Sequence, residues 1–188
     1  MPNAYLSTPL IFLINVLFSI YITIIALRLI MQWAQWEYHH PLVQLIIKAT
    51  QVPVKFLRRF IPPLGKWDSA TIILLFALTF IKLFLISSLQ TSPNHQGFFI
   101  GWVLADVFSL FITLFTFSII IEVILSWVVP PHAHNPITPL IHSMNEPLLR
   151  PVRQRLPIMG GIDLSPLIVV LGLQILSMLV LPILIMSP

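Results

Sequence analysis

Four long, nearly uninterrupted apolar runs decide what this chain can become. They cover about residues 10–33, 70–89, 100–127 and 164–186. A helix needs ~20 apolar residues to cross a hydrocarbon core of about 30 Å. Backbone groups in lipid must be satisfied within their own segment, so such runs are helices. The third run begins at Gly97 and is longer than one straight span needs. That excess implies a tilted helix or a start lying along the outer interface, with Asp106 marking the point of entry. The expected fold is an all-α membrane protein with four transmembrane helices. Composition agrees: the chain is 57% hydrophobic and 9% charged, where a soluble domain carries roughly a quarter charged residues. Pro9 suits the start of the first helix. The N-terminus lacks the basic region and small-residue cleavage site of a signal peptide, so the first run is expected to remain a span.

The runs come in pairs around a stretch that occurs twice. Residues 136–166 read PITPLIHSMNEPLLRPVRQRLPIMGGIDLSP, and residues 41–71 read PLVQLIIKATQVPVKFLRRFIPPLGKWDSAT. Superposed, Pro41 meets Pro136, Lys55 meets Arg150, Arg58 meets Arg153, Pro62 meets Pro157, Gly65 meets Gly160 and Asp68 meets Asp163. With the offset one residue shorter, Trp33 meets Trp127 and Arg28 meets Glu122. An internal repeat of this kind governs the whole fold assignment. The first repeat covers residues 1–89 and the second 97–188, within one membrane domain.

Inside each repeat, residues 41–64 and 136–157 carry too many charges for hydrocarbon. Leu42, Leu45, Ile46 and Ala49 recur at helical spacing, as do Ile137, Leu140, Ile141 and Met144. Cations accompany them: Lys48, Lys55, Arg58 and Arg59 in the first copy, Arg150, Arg153 and Arg155 in the second. This pattern belongs to a helix lying in the membrane interface. Pro53, Pro62 and Pro63 should bend or end the first one. Gly65 in one copy, and Gly160 with Gly161 in the other, provide turns; Asp68 or Ser69, and Asp163, can cap the next span.

Eight of the ten lysines and arginines lie in the two long loops. The positive-inside rule places those loops in the cytoplasm and both termini outside. Two spans per repeat then make the copies parallel, unlike the inverted repeats of many transporters. The basic balance, a formal +4, points to anionic lipid headgroups and not to nucleic acid.

Within the spans, Arg28 and Glu122 occupy equivalent positions and therefore equal depths. Opposite charges at equal depth suggest a salt bridge across a pseudo-twofold axis, either a clamp or an ion site. Lys82 and Asp106 both lie toward the outer side at less well matched depths, and Lys82 is long enough to reach headgroups. His39, His40, His132, His134 and His142 sit in the loops. His132 and His134 cannot share a helix face, and no carboxylate or cysteine cluster completes a zinc set. The chain has no cysteine, so disulfides and thiol nucleophiles are excluded. It has no nucleophile elbow, metalloprotease motif or phosphate-cradling glycine loop. Neither an enzyme nor a cofactor is expected.

The doubled pattern resembles the YggT family, also known as YlmG. The residues that carry the resemblance are Arg28 with Trp33, Asn135-Pro136, the run Asn145 to Arg153, Leu156-Pro157, and Met159-Gly160-Gly161-Ile162-Asp163-Leu164-Ser165-Pro166. It spans both repeats, and the second fits better. The first departs from the pattern at His40, Phe56 and Lys66. The resemblance implies a small integral membrane protein of the bacterial inner membrane. Family members have no agreed biochemical activity. They are linked to cell division and nucleoid or plastid organisation, to haem attachment on a chloroplast cytochrome, and to osmotic-shock survival with potassium uptake.

Two readings follow. One is a non-enzymatic assembly or scaffold factor, docking headgroups and unidentified membrane or cytoplasmic proteins through Lys55, Arg58, Arg59, Arg150, Arg153 and Arg155. The other is a small transporter component, with Arg28, Glu122, Lys82 and Asp106 along a path and a homo-oligomer supplying the pore. A haem-handling role is a third option and needs a histidine ligand.

Overall fold

The computed structural model describes residues 3–61, 68–89, 99–128, 136–155 and 163–186. Six helices follow in order: α1 (Asn3–Trp33), α2 (Pro41–Arg58), α3 (Ser69–Leu89), α4 (Phe99–Val128), α5 (Ile137–Arg153) and α6 (Ser165–Met186). Among the described residues there is no strand. Four helices, α1, α3, α4 and α6, are long and apolar enough to cross a membrane. Their side chains are apolar on all sides, as a helix surrounded by lipid and protein requires. The chain is a multi-pass helical membrane protein.

The two halves have the same order of elements and the same partners. α1 packs along α3 and α4 along α6; α2 lies against α1 and α3, and α5 against α4 and α6. The halves meet through α3 and α4, where Phe80 meets Phe99 edge to face at 5.0 Å. Trp33 of α1 meets Phe115 of α4 in the same way at 5.8 Å. The main core joins Ile22, Ile25, Ala26 and Leu29 of α1 to Val54 of α2 and Ala70, Leu74 and Leu75 of α3. A smaller core holds α5 by Leu149, between Ile119 of α4 and Val169 of α6. Met31, Val43 and Leu140 form a third. It brings α1, α2 and α5 together, so both amphipathic helices lie at one end of the bundle.

Several local expectations need correction. Pro9 does not start α1, which is already helical from Asn3; it lies inside the helix. Pro53 does not end α2 either, and the helix continues to Arg58. Pro147 and Pro151 lie inside α5. α4 is continuous from Phe99, so Asp106 lies within the helix, seven residues past its first residue. On α2 the residues buried against the spans are Val43, Thr50 and Val54, whereas Leu42, Leu45 and Ala49 are exposed. The helix has two apolar stripes, one for the protein and one for its surroundings, and sequence periodicity picked the outer one. His40 caps α2, its Nδ1 accepting the Leu42 amide at 3.2 Å. Gln35, at φ 53°, closes α1 in the left-handed conformation common after helix ends. Gly65, Gly160 and Gly161 lie outside the described residues, as do His132 and His134.

Candidate functional site

Each half carries a polar clasp where the amphipathic helix, α2 or α5, meets the two spans. In the first, Arg58 at the end of α2 reaches Asp68, just before α3. Its Nη2 donates to Oδ2 at 2.6 Å and its Nε to Oδ1 at 3.2 Å. This two-pronged geometry is the strong form of a guanidinium–carboxylate pair. The Thr71 hydroxyl also donates to Asp68, at 2.6 Å. From α1, Arg28 donates to the Thr50 hydroxyl at 2.7 Å and lies 3.9 Å from Asp68. Arg28 is only 6% exposed and Thr50 wholly buried. Burial alone would raise the Asp68 carboxyl; hydrogen bonds from Arg58 and Thr71 and the two arginine charges outweigh it and hold it below its ordinary value. Arg58, hydrogen-bonded to that carboxylate, is raised.

The second half uses matching positions. Arg153 ends α5 and donates through Nε to Asp163 at 2.8 Å. Asp163 caps α6 by accepting the Ser165 amide at 2.9 Å. Glu122 of α4 stands where α1 has Arg28. It accepts from Asn145 Nδ2 at 2.7 Å, is paired with His142 at 2.9 Å and lies 3.6 Å from Arg153. Asn145 is fully buried and in turn accepts from Ser118 at 2.8 Å. Glu146 joins the cluster, accepting from Arg153 at 3.2 Å. Burial opposes the charge on both Arg153 and Asp163; their mutual bond prevails, raising the first and lowering the second.

The predicted Arg28–Glu122 bridge is therefore replaced by two local networks. The two residues hold matching positions in the repeat, but each charge is turned toward the amphipathic helix of its own half. Thr50 and Asn145, which receive these charges, were missed. The available signal was that they are matching polar residues within amphipathic segments.

Lys82 and Asp106 make the remaining ion pair within the spans, at 2.5 Å. Their depths agree well: each lies seven residues from the nearer end of its helix, Leu89 or Phe99. That is ~10 Å along a helix axis. The pair borders a cavity of about 160 Å³ with Ser19, Ser109 and Thr113. Lys82 is buried, so it does not extend to headgroups. A larger groove of about 400 Å³ between the halves is apolar, lined by Leu29, Trp33, Phe76, Phe111 and Leu148 among others.

Lys55, Arg59, Arg150 and Arg155 are exposed and form no ion pair among the described residues. Within those residues no group of three or more potential metal ligands comes together. His142 is engaged with Glu122 and Glu146, and His40 with the start of α2.

Among the described residues, four candidate spans, two amphipathic helices and a clasp in each half define a class of small helical membrane protein with matching halves. The chain belongs to the CCB3/YggT family, whose model matches residues 7–89 and residues 101–184. It is 38% identical over 183 residues to the uncharacterized protein PA0392 of Pseudomonas aeruginosa, covering 93% of this chain and 89% of that one. It is 35% identical over 170 residues to the uncharacterized protein YggT of Escherichia coli K12, covering 89% of this chain and 86% of the relative. An uncharacterized protein of Vibrio alginolyticus is 35% identical over 171 residues, covering 89% and 91% respectively. No solved structure matches.

Proposed function

We propose that this protein is a non-enzymatic assembly or scaffold factor of the bacterial inner membrane, with α2 and α5 on the cytoplasmic side. One observation carries the reading: the four charges within the spans are engaged inside the protein, and Arg58 and Arg153 are tied up in the clasps, while Lys55, Arg59, Arg150 and Arg155 form no ion pair among the described residues. Arg28 is held by Thr50 and Asp68, Glu122 by Asn145, His142 and Arg153, and Lys82 by Asp106. A charge in the membrane is costly unless paired, and these are paired for structure. Lys55, Arg59, Arg150 and Arg155 are exposed, and in the first half Lys55 and Arg59 alternate along the chain with the exposed apolar side chains Val52 and Phe56 on α2 and Phe60 just beyond it. Cations beside apolar groups suit a surface that binds anionic headgroups and docks a partner protein there.

The test is photocrosslinking in living cells from Val52 on α2 and Gln154 just after α5, with identification of what is captured. Discrete proteins, lost when Lys55, Arg59, Arg150 and Arg155 are changed to alanine, support the reading. Capture of lipid alone overturns it.

The hydroxyl-lined cavity beside Lys82 and Asp106 favours a second reading, a small transporter component. Ion flux in liposomes that is abolished by Asp106→Asn, and unaffected by the four alanine changes, would select it.

A further inference from the structure

α6 differs from the other spans in how little of it the protein covers. Only 6% of its most apolar stretch is buried, against 22% for α3 and α4. α3 is the matching span of the first half, and its polar residues Thr79 and Lys82 are buried against neighbours that include α4. Among the described residues the helices packed along α6 are α4 and α5, which leave its outer side uncovered. Yet it carries Gln174 there, exposed and without a hydrogen-bond partner among the described residues. Gln174 lies nine residues from Ser165, which is ~14 Å along the axis. That is near the middle of a hydrocarbon core about 30 Å thick. An amide at that depth has no water to satisfy it, so its donor and acceptor groups favour a protein partner.

Gln174 also lies on a seam. Leu167, Leu171, Gln174, Met178, Leu181 and Ile185 follow one another at alternating steps of four and three. This is the spacing that keeps one stripe of a helix facing another helix in a left-handed pair. Leu167, Leu171, Met178 and Ile185 are exposed, and Leu181 is half-buried.

We propose that two copies of this chain associate through α6, in parallel about an axis along the membrane normal, with the Gln174 amides hydrogen-bonded to each other. Three considerations select a second copy as the occupant. A carboxamide holds both donors and an acceptor, so it is complementary to itself. A copy inserted in the same orientation brings its own Gln174 to the same depth without further requirement. A twofold interface uses one patch twice, which a single seam satisfies. The inference goes beyond the assembly-factor reading and does not depend on it.

The natural absence of cysteine makes the test direct. Single-cysteine variants of the full chain are oxidised in native membranes: Leu171→Cys and Met178→Cys on the seam, Leu179→Cys and Ile183→Cys on the opposite side. All four side chains are exposed, so a cysteine at any of them leaves the packing within the chain intact. Disulfide-linked dimers should form at the two seam positions and not at the two controls. Gln174→Leu, added to Met178→Cys, should weaken dimerisation by roughly 3- to 20-fold, the range measured for hydrogen bonds between membrane helices. Gln174→Asn should retain part of it. Equal crosslinking around the helix, no seam dimer, or no response to Gln174→Leu would each overturn the proposal.

Discussion

In the first half one carboxylate, Asp68, serves two guanidiniums, Arg28 and Arg58. In the second, one guanidinium, Arg153, serves three carboxylates, Glu122, Glu146 and Asp163. Both clasps use matching positions and tie the same three elements: the end of one span, an amphipathic helix and the start of the next span. What the halves share is the connection; the sign of the buried charge is free to change if the receiving residue changes with it. Thr50 offers its oxygen to Arg28, and Asn145 offers its amide nitrogen to Glu122. The position beneath the clasp thus sets which charge the span can carry.

The strongest way to break this comparison is to exchange the charges. Arg28→Glu would set a carboxylate against Asp68, and Glu122→Arg would set a guanidinium against Arg153. Disrupting a buried pair costs about 3–5 kcal/mol, and each single change should lower thermal stability in detergent accordingly. Because the clasps are separate, the double variant should lose about the sum. A double variant as stable as the parent would make Arg28 and Glu122 direct partners and sink the two-clasp description.

A smaller effect separates the clasps from the joint between the halves. Lys82→Met or Asp106→Leu alone leaves one charge in the bilayer, at about 2.5–3.5 kcal/mol. Making both changes should restore most of the loss, whereas the charge exchange above should not. Denaturation midpoints of the three variants check this.

Smaller again are the receiving residues. Asn145→Leu leaves Glu122 Oε2 without its donor, and Thr50→Val leaves the Arg28 Nη1 without its acceptor. Each should cost about 1–3 kcal/mol. Asn145→Leu should be the worse of the two, since it also strands Ser118. Equal, negligible losses would mean that these positions do not set the charge.

The mildest test is pH. Asp68 and Asp163 have lowered values in the folded protein, so the unfolded chain takes up protons first as pH falls. Their contribution is complete above the ordinary carboxyl value of 3.8 and shrinks below it. A melting series from neutral pH to below that value should show a decline that Asp163→Asn makes shallower.

Much of the fold was legible because the bilayer leaves a chain so few choices. Length and apolar character located four spans, and cations with helical periodicity located α2 and α5. The clasps were only partly legible. The repeat gave Arg28 and Glu122 matching positions, but a matching position carries no information about direction around the helix axis. Two residues at one level can face each other or face away, and these face their own interfacial helices. Lys82 and Asp106 were obscured for the opposite reason. The end of α3 was legible, but the length of the third run left the start of its span open, so their common level emerged only once α4 was seen to run unbroken from Phe99. The outer stripe of α2 concealed the inner one, since Leu42 and Leu45 are as apolar as Val43 and Val54.

The Arg58–Asp68 bond joins residues only ten positions apart, while Lys82 must wait for Asp106 on the next span. During synthesis the first half can therefore fasten itself as soon as α3 is made. Its lysine is then a solitary cation in the membrane until α4 arrives. The protein has a built-in reason for its second half to insert promptly against the first, and a chain truncated after Leu89 should be a substrate for membrane quality control.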